Sequence, residues 1–394
     1  MFPSRTKATF APPVMEARRW LDGVTFPADR PLINVSQAAP ATVPPAPIRA
    51  AMAEAIMTQA EAHLYGPVLG MPDLRTALAA NWTRHYGAPV AADHIAITSG
   101  CNEAYAAVLS TLTTEGDEVI LPVPYYFNHR MWNDMAGLKT VGLPTGPDLI
   151  PDADHAAALI TPRTRAIVLV TPNNPGGVEY PPETLRAFRD LARARGITLI
   201  VDETYRDFHS RDGAPHDLLS DPDWADCVVQ LYSFSKAYRL TGHRVGAVIA
   251  SPARLAEVEK FLDTVTICPS QIGQIGALWG LQNLDAWLAG ERAEILARRA
   301  AVQAAFPPLA AQGWQLLGCG AYFAYVAHPF ALSSPELARD LVREAGLLML
   351  PGTMFSPEDM ASGARQLRIA FANIDSAGIA TMAQRLHAYG TARL

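Results

Sequence analysis

Cysteine is scarce in this chain. Its four cysteines, Cys101, Cys227, Cys268 and Cys319, lie far apart and in no CxxC or CxxH spacing. That excludes a disulfide framework and a cysteine-built zinc site, so no metal is expected, and it predicts reduced thiols in a cytoplasmic protein. No uninterrupted apolar run approaches the roughly 20 residues that span a bilayer, so no membrane partner is expected. The first residues carry no apolar segment of the signal-peptide kind. Charge of one sign is missing too. Basic residues number 32 and acidic residues 38, leaving −6 with no basic stripe, and no nucleic-acid partner is expected. No GxGxxG opens a first strand-to-helix turn, which removes the dinucleotide fingerprint.

What is present is a well-cored chain of 394 residues, 49% hydrophobic and 18% charged. Prolines crowd the first 47 residues and end in Pro44-Pro45-Ala46-Pro47, which predicts an arm that wraps over a neighbouring surface. Helical patterning begins near Ile48. From residue 94 onward, short apolar runs at 94–100, 117–123, 138–143, 165–172, 197–203, 227–233 and 244–251 alternate with helical stretches such as 102–113 and 182–195. Apolar runs of four to eight residues between helices imply a mostly parallel, seven-stranded sheet covered on both faces. A long helical region over 271–306 follows, then strands at 314–318, 321–326, 346–352 and 366–372. The expected organisation is an arm over 1–47, a large domain over 48–289, and a smaller α+β domain over 290–394.

The run Ser233-Phe234-Ser235-Lys236 carries the most chemistry. It sets an amine directly behind two hydroxyls, with the Arg244 guanidinium eight positions further on. An amine condenses with an aldehyde, while hydroxyls and guanidinium suit a phosphate dianion. Pyridoxal 5′-phosphate is an aldehyde carrying a phosphate, and proteins hold it as a lysine Schiff base.

The other candidates also fall at carboxyl ends of expected strands, the edge where open α/β sheets bind ligands. Gly100, Cys101 and Asn102 begin a helix whose backbone N–H groups make an anion site. Asp202 ends a buried strand, where a carboxylate needs a cation or donors, and it can hold a pyridine nitrogen protonated. Tyr205, three residues on, could then reach the same ring's phenolic oxygen. Asn174 sits in the rigid loop Thr171-Pro172-Asn173-Asn174-Pro175-Gly176-Gly177 as a second donor. Tyr126, in an aromatic cluster, can stack on a planar ring. Arg368 interrupts an apolar strand, and its planar fork matches a carboxylate. Taken singly, each has a plainer reading as a turn, a helix cap, a core aromatic or a solvent-facing arginine. Five strand ends converging on one cofactor are the stronger signal.

With Tyr65-Gly66-Pro67 to Arg75, Gly100, Asn174-Pro175-Gly176-Gly177, Asp202–Tyr205, the Ser-Phe-Ser-Lys run with Arg244, and Arg368 in that order, the chain resembles the class I/II aminotransferases of pyridoxal-phosphate fold type I along nearly its whole length. The resemblance implies an aspartate aminotransferase-like fold. Lys236 would be the Schiff-base lysine and proton shuttle, and Asp202 would pair with the pyridinium. Tyr205 and Asn174 would meet the phenolic oxygen, and Tyr126 would stack on the ring. Gly100, Cys101, Asn102, Ser233, Ser235 and Arg244 would hold the phosphate. It further implies a homodimer with shared active sites, Tyr65 reaching the neighbouring subunit's phosphate, and a substrate α-carboxylate on Arg368. The expected activity is ping-pong transamination between an L-amino acid and a 2-oxo acid.

Two departures bear on the substrate. Ala38 stands where relatives usually have glycine in the substrate loop Ser36-Gln37-Ala38-Ala39-Pro40. The segment 268–274 lacks the second cation of dicarboxylate-preferring members. Neutral or aromatic donors are therefore expected over acidic ones, with His129, Arg130 and His243 left as other sources of charge. A carbon–sulfur β-lyase shares these motifs and stays open. A non-catalytic regulator domain is disfavoured, because only a short proline-rich arm precedes the fold.

Overall fold

The computed structural model describes residues 4–40 and 42–393. Its seven apolar runs become the strands β1 (Ile95–Thr98), β2 (Glu118–Val123), β3 (Lys139–Pro144), β4 (Thr164–Val170), β5 (Thr198–Asp202), β6 (Val228–Ser233) and β7 (Gly246–Ile249). They form one sheet in the order β1-β7-β6-β5-β4-β2-β3, parallel except for β7, which runs antiparallel to both neighbours. The central strands β5 and β6 are buried from end to end, as parallel strands between helical layers must be.

Local chemistry explains the helices that cover the sheet. Prolines occupy the first turn of α1 (Pro13–Arg19), α2 (Ala46–Thr58), α3 (Pro72–Tyr86), α6 (Pro182–Arg195) and α7 (Pro252–Val265), where a missing N–H costs nothing. Between α3 and α6, α4 (Cys101–Leu112) follows β1 and α5 (Phe127–Ala136) follows β2. The expected helical region at 271–306 is two helices, α8 (Gln271–Asn283) and α9 (Asp285–Ala305), broken at Leu284 (φ −115°, ψ 19°).

A small separate domain holds the antiparallel sheet β8 (Gln315–Gly320), β9 (Phe323–Ala327), β10 (Leu350–Pro351) and β11 (Gln366–Ile369), in the order β10-β11-β9-β8. Helices α10 (Ser334–Ala345) and α11 (Ser376–Thr391) pack against it. The expected strand at 346–352 divides. Leu347–Leu348 pairs in parallel with Ile33–Asn34 of the arm, while Leu350–Pro351 joins β11. Two of the hydrophobic cores meet at α9, where Leu288 packs against both.

Candidate active site

Parallel strands deliver their carboxyl ends to one edge, and the candidate residues gather there around a cavity of about 410 Å³. Ala38, Cys101, Asn102, Tyr126, Asn174, Asp202, Tyr205, Ser233, Ser235, Lys236, Arg244 and Arg368 all line it. Gly100 stands just behind the wall at the N-cap of α4 with φ +91°, where a side chain would collide with the Arg244 guanidinium. Gly246 makes the same approach from β7, since a Cβ there would lie 2.6 Å from the Gly100 carbonyl carbon. Tyr65 is the exception. Its side chain is 80% exposed and does not reach this chain's own cavity.

Ser233 ends β6 and caps the short helix that carries Lys236, its Oγ accepting from the Ser235 N–H at 3.2 Å. Lys236 Nζ donates to the Ala38 carbonyl at 2.6 Å. Burial and the nearby charges of Arg244 and Arg368 lower its pKa to about 8. Arg244 holds a left-handed backbone (φ 53°), a conformation that persists only where surroundings enforce it, and its Nη1 donates to the Thr241 carbonyl at 3.2 Å.

Asp202 is buried at the end of β5. Burial alone would raise its carboxyl, but donation from His129 and Thr204 outweighs that and holds it below the ordinary range. His129 Nε2 lies 3.2 Å from Oδ2, and the Thr204 N–H donates to Oδ1 at 3.0 Å. Tyr105 stacks on the His129 ring from α4 with centroids 4.0 Å apart. One residue on, Glu203 turns to the opposite face. It accepts from Tyr86 Oη at 2.6 Å and Gln230 Nε2 at 2.6 Å, with His216 Nε2 at 3.1 Å.

Arg368 is 2% exposed and lies against the Phe323 and Phe355 rings. It donates to Asn174 Oδ1 at 3.0 Å and to the Ser36 carbonyl. Burial lowers its pKa to about 10, so it stays a cation at neutral pH. The loop Ser36-Gln37-Ala38 therefore touches three basic groups in turn: Arg368 through Ser36, Arg18 Nη2 through Gln37 Oε1 at 2.6 Å, and Lys236 through Ala38.

These residues fit pyridoxal phosphate. Two serine hydroxyls, a guanidinium and a helix start opened by Gly100 suit its phosphate, a buried amine of lowered pKa suits its aldehyde, and a paired carboxylate suits its ring nitrogen. Fold and site together define a pyridoxal-phosphate enzyme of fold type I.

The profile of the family "Aminotransferase class I and II" matches residues 30–386, and the chain belongs to that family. A valine–pyruvate aminotransferase of Mycobacterium tuberculosis is 30% identical over 86% of this chain and 87% of its own. An aromatic aminotransferase of Arabidopsis thaliana is 29% identical over 82% and 80%. The crystal structure of an aminotransferase from M. tuberculosis superposes with a TM-score of 0.88 at 28% identity, covering 100% of both chains. The protein is a pyridoxal-phosphate-dependent aminotransferase.

Two site residues were not legible in the sequence as site residues. His129, which the sequence offers only as a source of charge for substrate, faces Asp202 from α5. Arg18, on α1, lines the cavity from within the proline-rich arm. The Arg-Arg pair at the end of a short helix was its one signal.

Proposed function

We propose that the protein moves an amino group between a neutral or aromatic L-amino acid and a 2-oxo acid, in two half-reactions of ping-pong form. The observation that carries this is the buried Lys236 amine, lowered to about 8, in one cavity with Asp202, Asn174 and Arg368. Bound there, the cofactor supplies an aldehyde for amine exchange and a ring that draws electron density from the substrate Cα.

The chain's own residues do the rest. Arg368 receives the substrate α-carboxylate and, with Asn174 beside it, fixes which bond at Cα faces Lys236. Lys236 Nζ takes the Cα proton and later returns one, acting as general base and then general acid. Asp202, held ionised by His129 and Thr204, would keep a proton on the ring nitrogen. Tyr205 and Asn174 would hold the phenolic oxygen, and Tyr126 the ring. Gly100, Cys101, Asn102, Ser233, Ser235 and Arg244 would hold the phosphate. Ala38 brings its backbone to the substrate, and the aromatic wall of Tyr126, Phe127 and Tyr205 favours apolar side chains.

The reading includes a homodimer in which Tyr65 reaches the neighbouring subunit's site. In support, Met57, Leu64, Tyr65 and Val265 are 60–82% exposed on adjoining stretches, which the Gly66 N–H ties to Cys268 Sγ at 3.4 Å. It includes the domain division 1–47, 48–289 and 290–394, supported by the seven-stranded and four-stranded sheets lying in separate parts of the chain, although α9 runs unbroken through residue 290. It also includes a cytoplasmic location, supported by cysteines that are all free thiols.

Borohydride treatment followed by peptide mapping should find the pyridoxyl group on Lys236. A panel of amino donors against oxo acids should give product with wild type and at least about a thousandfold less with Lys236→Ala. Pyruvate and ammonia released from cysteine without any oxo acid would instead make the protein a β-lyase.

A further inference from the structure

Another cavity, of about 330 Å³, opens between α3, α9 and the loop that follows β5, and it shares no lining residue with the active-site cavity. Four arginines and three aspartates line it, an excess of one positive charge before its two histidines are counted. Arg206 is the buried member, 3% exposed and one residue beyond Tyr205. One face of its guanidinium stacks on the Trp82 ring, with Cζ 3.9 Å from the centroid. Its Nη2 donates to Asn81 Oδ1 at 3.1 Å and to Asp207 Oδ1 at 2.9 Å. Its Nε and Nη1 are buried and meet no acceptor. Stacking occupies only the face of a guanidinium and leaves the in-plane N–H groups in need of partners. A buried ionic donor without one is costly, so these N–H groups call for an oxygen.

The protein's own acids do not supply it. Asp207 Oδ1 is taken by Arg206, and its Oδ2 accepts from Tyr232 Oη at 2.7 Å. The other walls add cations instead. Arg211 is exposed, and among the described residues no hydrogen bond or ion pair engages its side chain. Arg292 reaches from α9 to the carbonyls of His209, Ser210 and Arg211, which fixes the loop against that helix. Its acidic partner Asp212 is 100% exposed and 3.5 Å away, a loose pair that another anion can displace. A carboxylate is satisfied by a single guanidinium fork. Spare donors on a buried arginine and an uncommitted arginine beside it suit an anion with more oxygens.

We propose that this cavity binds a phosphate group, free or carried on a small metabolite, between Arg206 and Arg211, at a site separate from the cofactor's.

The holoenzyme tests it, because bound cofactor fills the other phosphate site. Calorimetric titration with inorganic phosphate should show saturable binding in wild type. Arg211→Gln should weaken it by about tenfold, the effect of losing one charged partner, and Asp212→Asn should tighten it by about two- to fivefold by removing a rival anion. Arg206→Lys should weaken it too, with the cofactor's absorption band unchanged. The two surface variants decide the matter if that one does not fold. Arg368→Gln should bind phosphate as wild type does. Tighter binding of glycerol 3-phosphate would make a metabolite's phosphate the ligand, and equal or weaker binding would make it the free ion; both outcomes uphold the site. No saturation by about 10 mM, binding indifferent to Arg211, loss of binding in Arg368→Gln, or acetate bound as tightly as phosphate would each overturn the assignment.

Discussion

At the scale of single residues, burial and neighbouring charge push the site's groups in opposite useful directions. Lys236 loses its proton more readily than a free lysine because its ammonium would be desolvated and would face two arginines. Asp202 stays ionised although buried, because donors from His129 and Thr204 surround it. The sign follows for Lys236: the folded state disfavours the ammonium, so this residue costs stability below about 8, and that cost fades as pH rises toward the unfolded value near 10.4. Cofactor uptake by stripped protein should therefore speed up with pH around a midpoint near 8 and then level off. Arg244→Gln should move that midpoint upward, as stopped-flow absorbance at several pH values would record. A flat profile between pH 7 and 9 would contradict the lowered amine.

At the scale of elements, the end of β5 is clamped from both faces of the sheet. Asp202 faces the cavity, while Glu203 is anchored behind it by Tyr86, Gln230 and His216. Glu203→Ala strands these buried groups, and it should cost about 3–5 kcal/mol in urea unfolding. A loss under about 1 kcal/mol would show that the clamp holds little. Such clamps are hard to read in a sequence, because Tyr86, Glu203, His216 and Gln230 come from distant segments. The strands themselves were legible because the sheet is covered on both faces and their runs are mostly apolar, as at Ile95–Ile97 and 166–170. Lys236, Asp202 and Asn174 were legible too, since each sits at a strand end in a distinctive local run. The break at Leu284 was not, for Asn283-Leu284-Asp285 contains neither glycine nor proline. His129 needed the tertiary fold, which sets α5 beside a strand more than sixty residues later in the chain.

At the scale of the whole molecule, each site draws on the large sheet, the small domain and the arm, and by the homodimer proposal on a second subunit. Lys236→Ala and Tyr65→Ala variants should each be deficient alone. Mixed and reassociated, they should regain about a quarter of wild-type activity, because half of the dimers then hold one intact site of two. No recovery above the separate variants would place Tyr65 outside the active site.

The loop at Ser36–Ala38 adds a consequence for affinity. Its carbonyls already accept from Arg368 and Lys236, so an arriving carboxylate competes with the protein's own oxygens instead of meeting bare donors. Net gain on entry is then an exchange difference, smaller than the gross strength of the new contacts. Weak retention of product follows from the same trade, and turnover in a two-stroke reaction needs each oxo acid to leave before the next can enter.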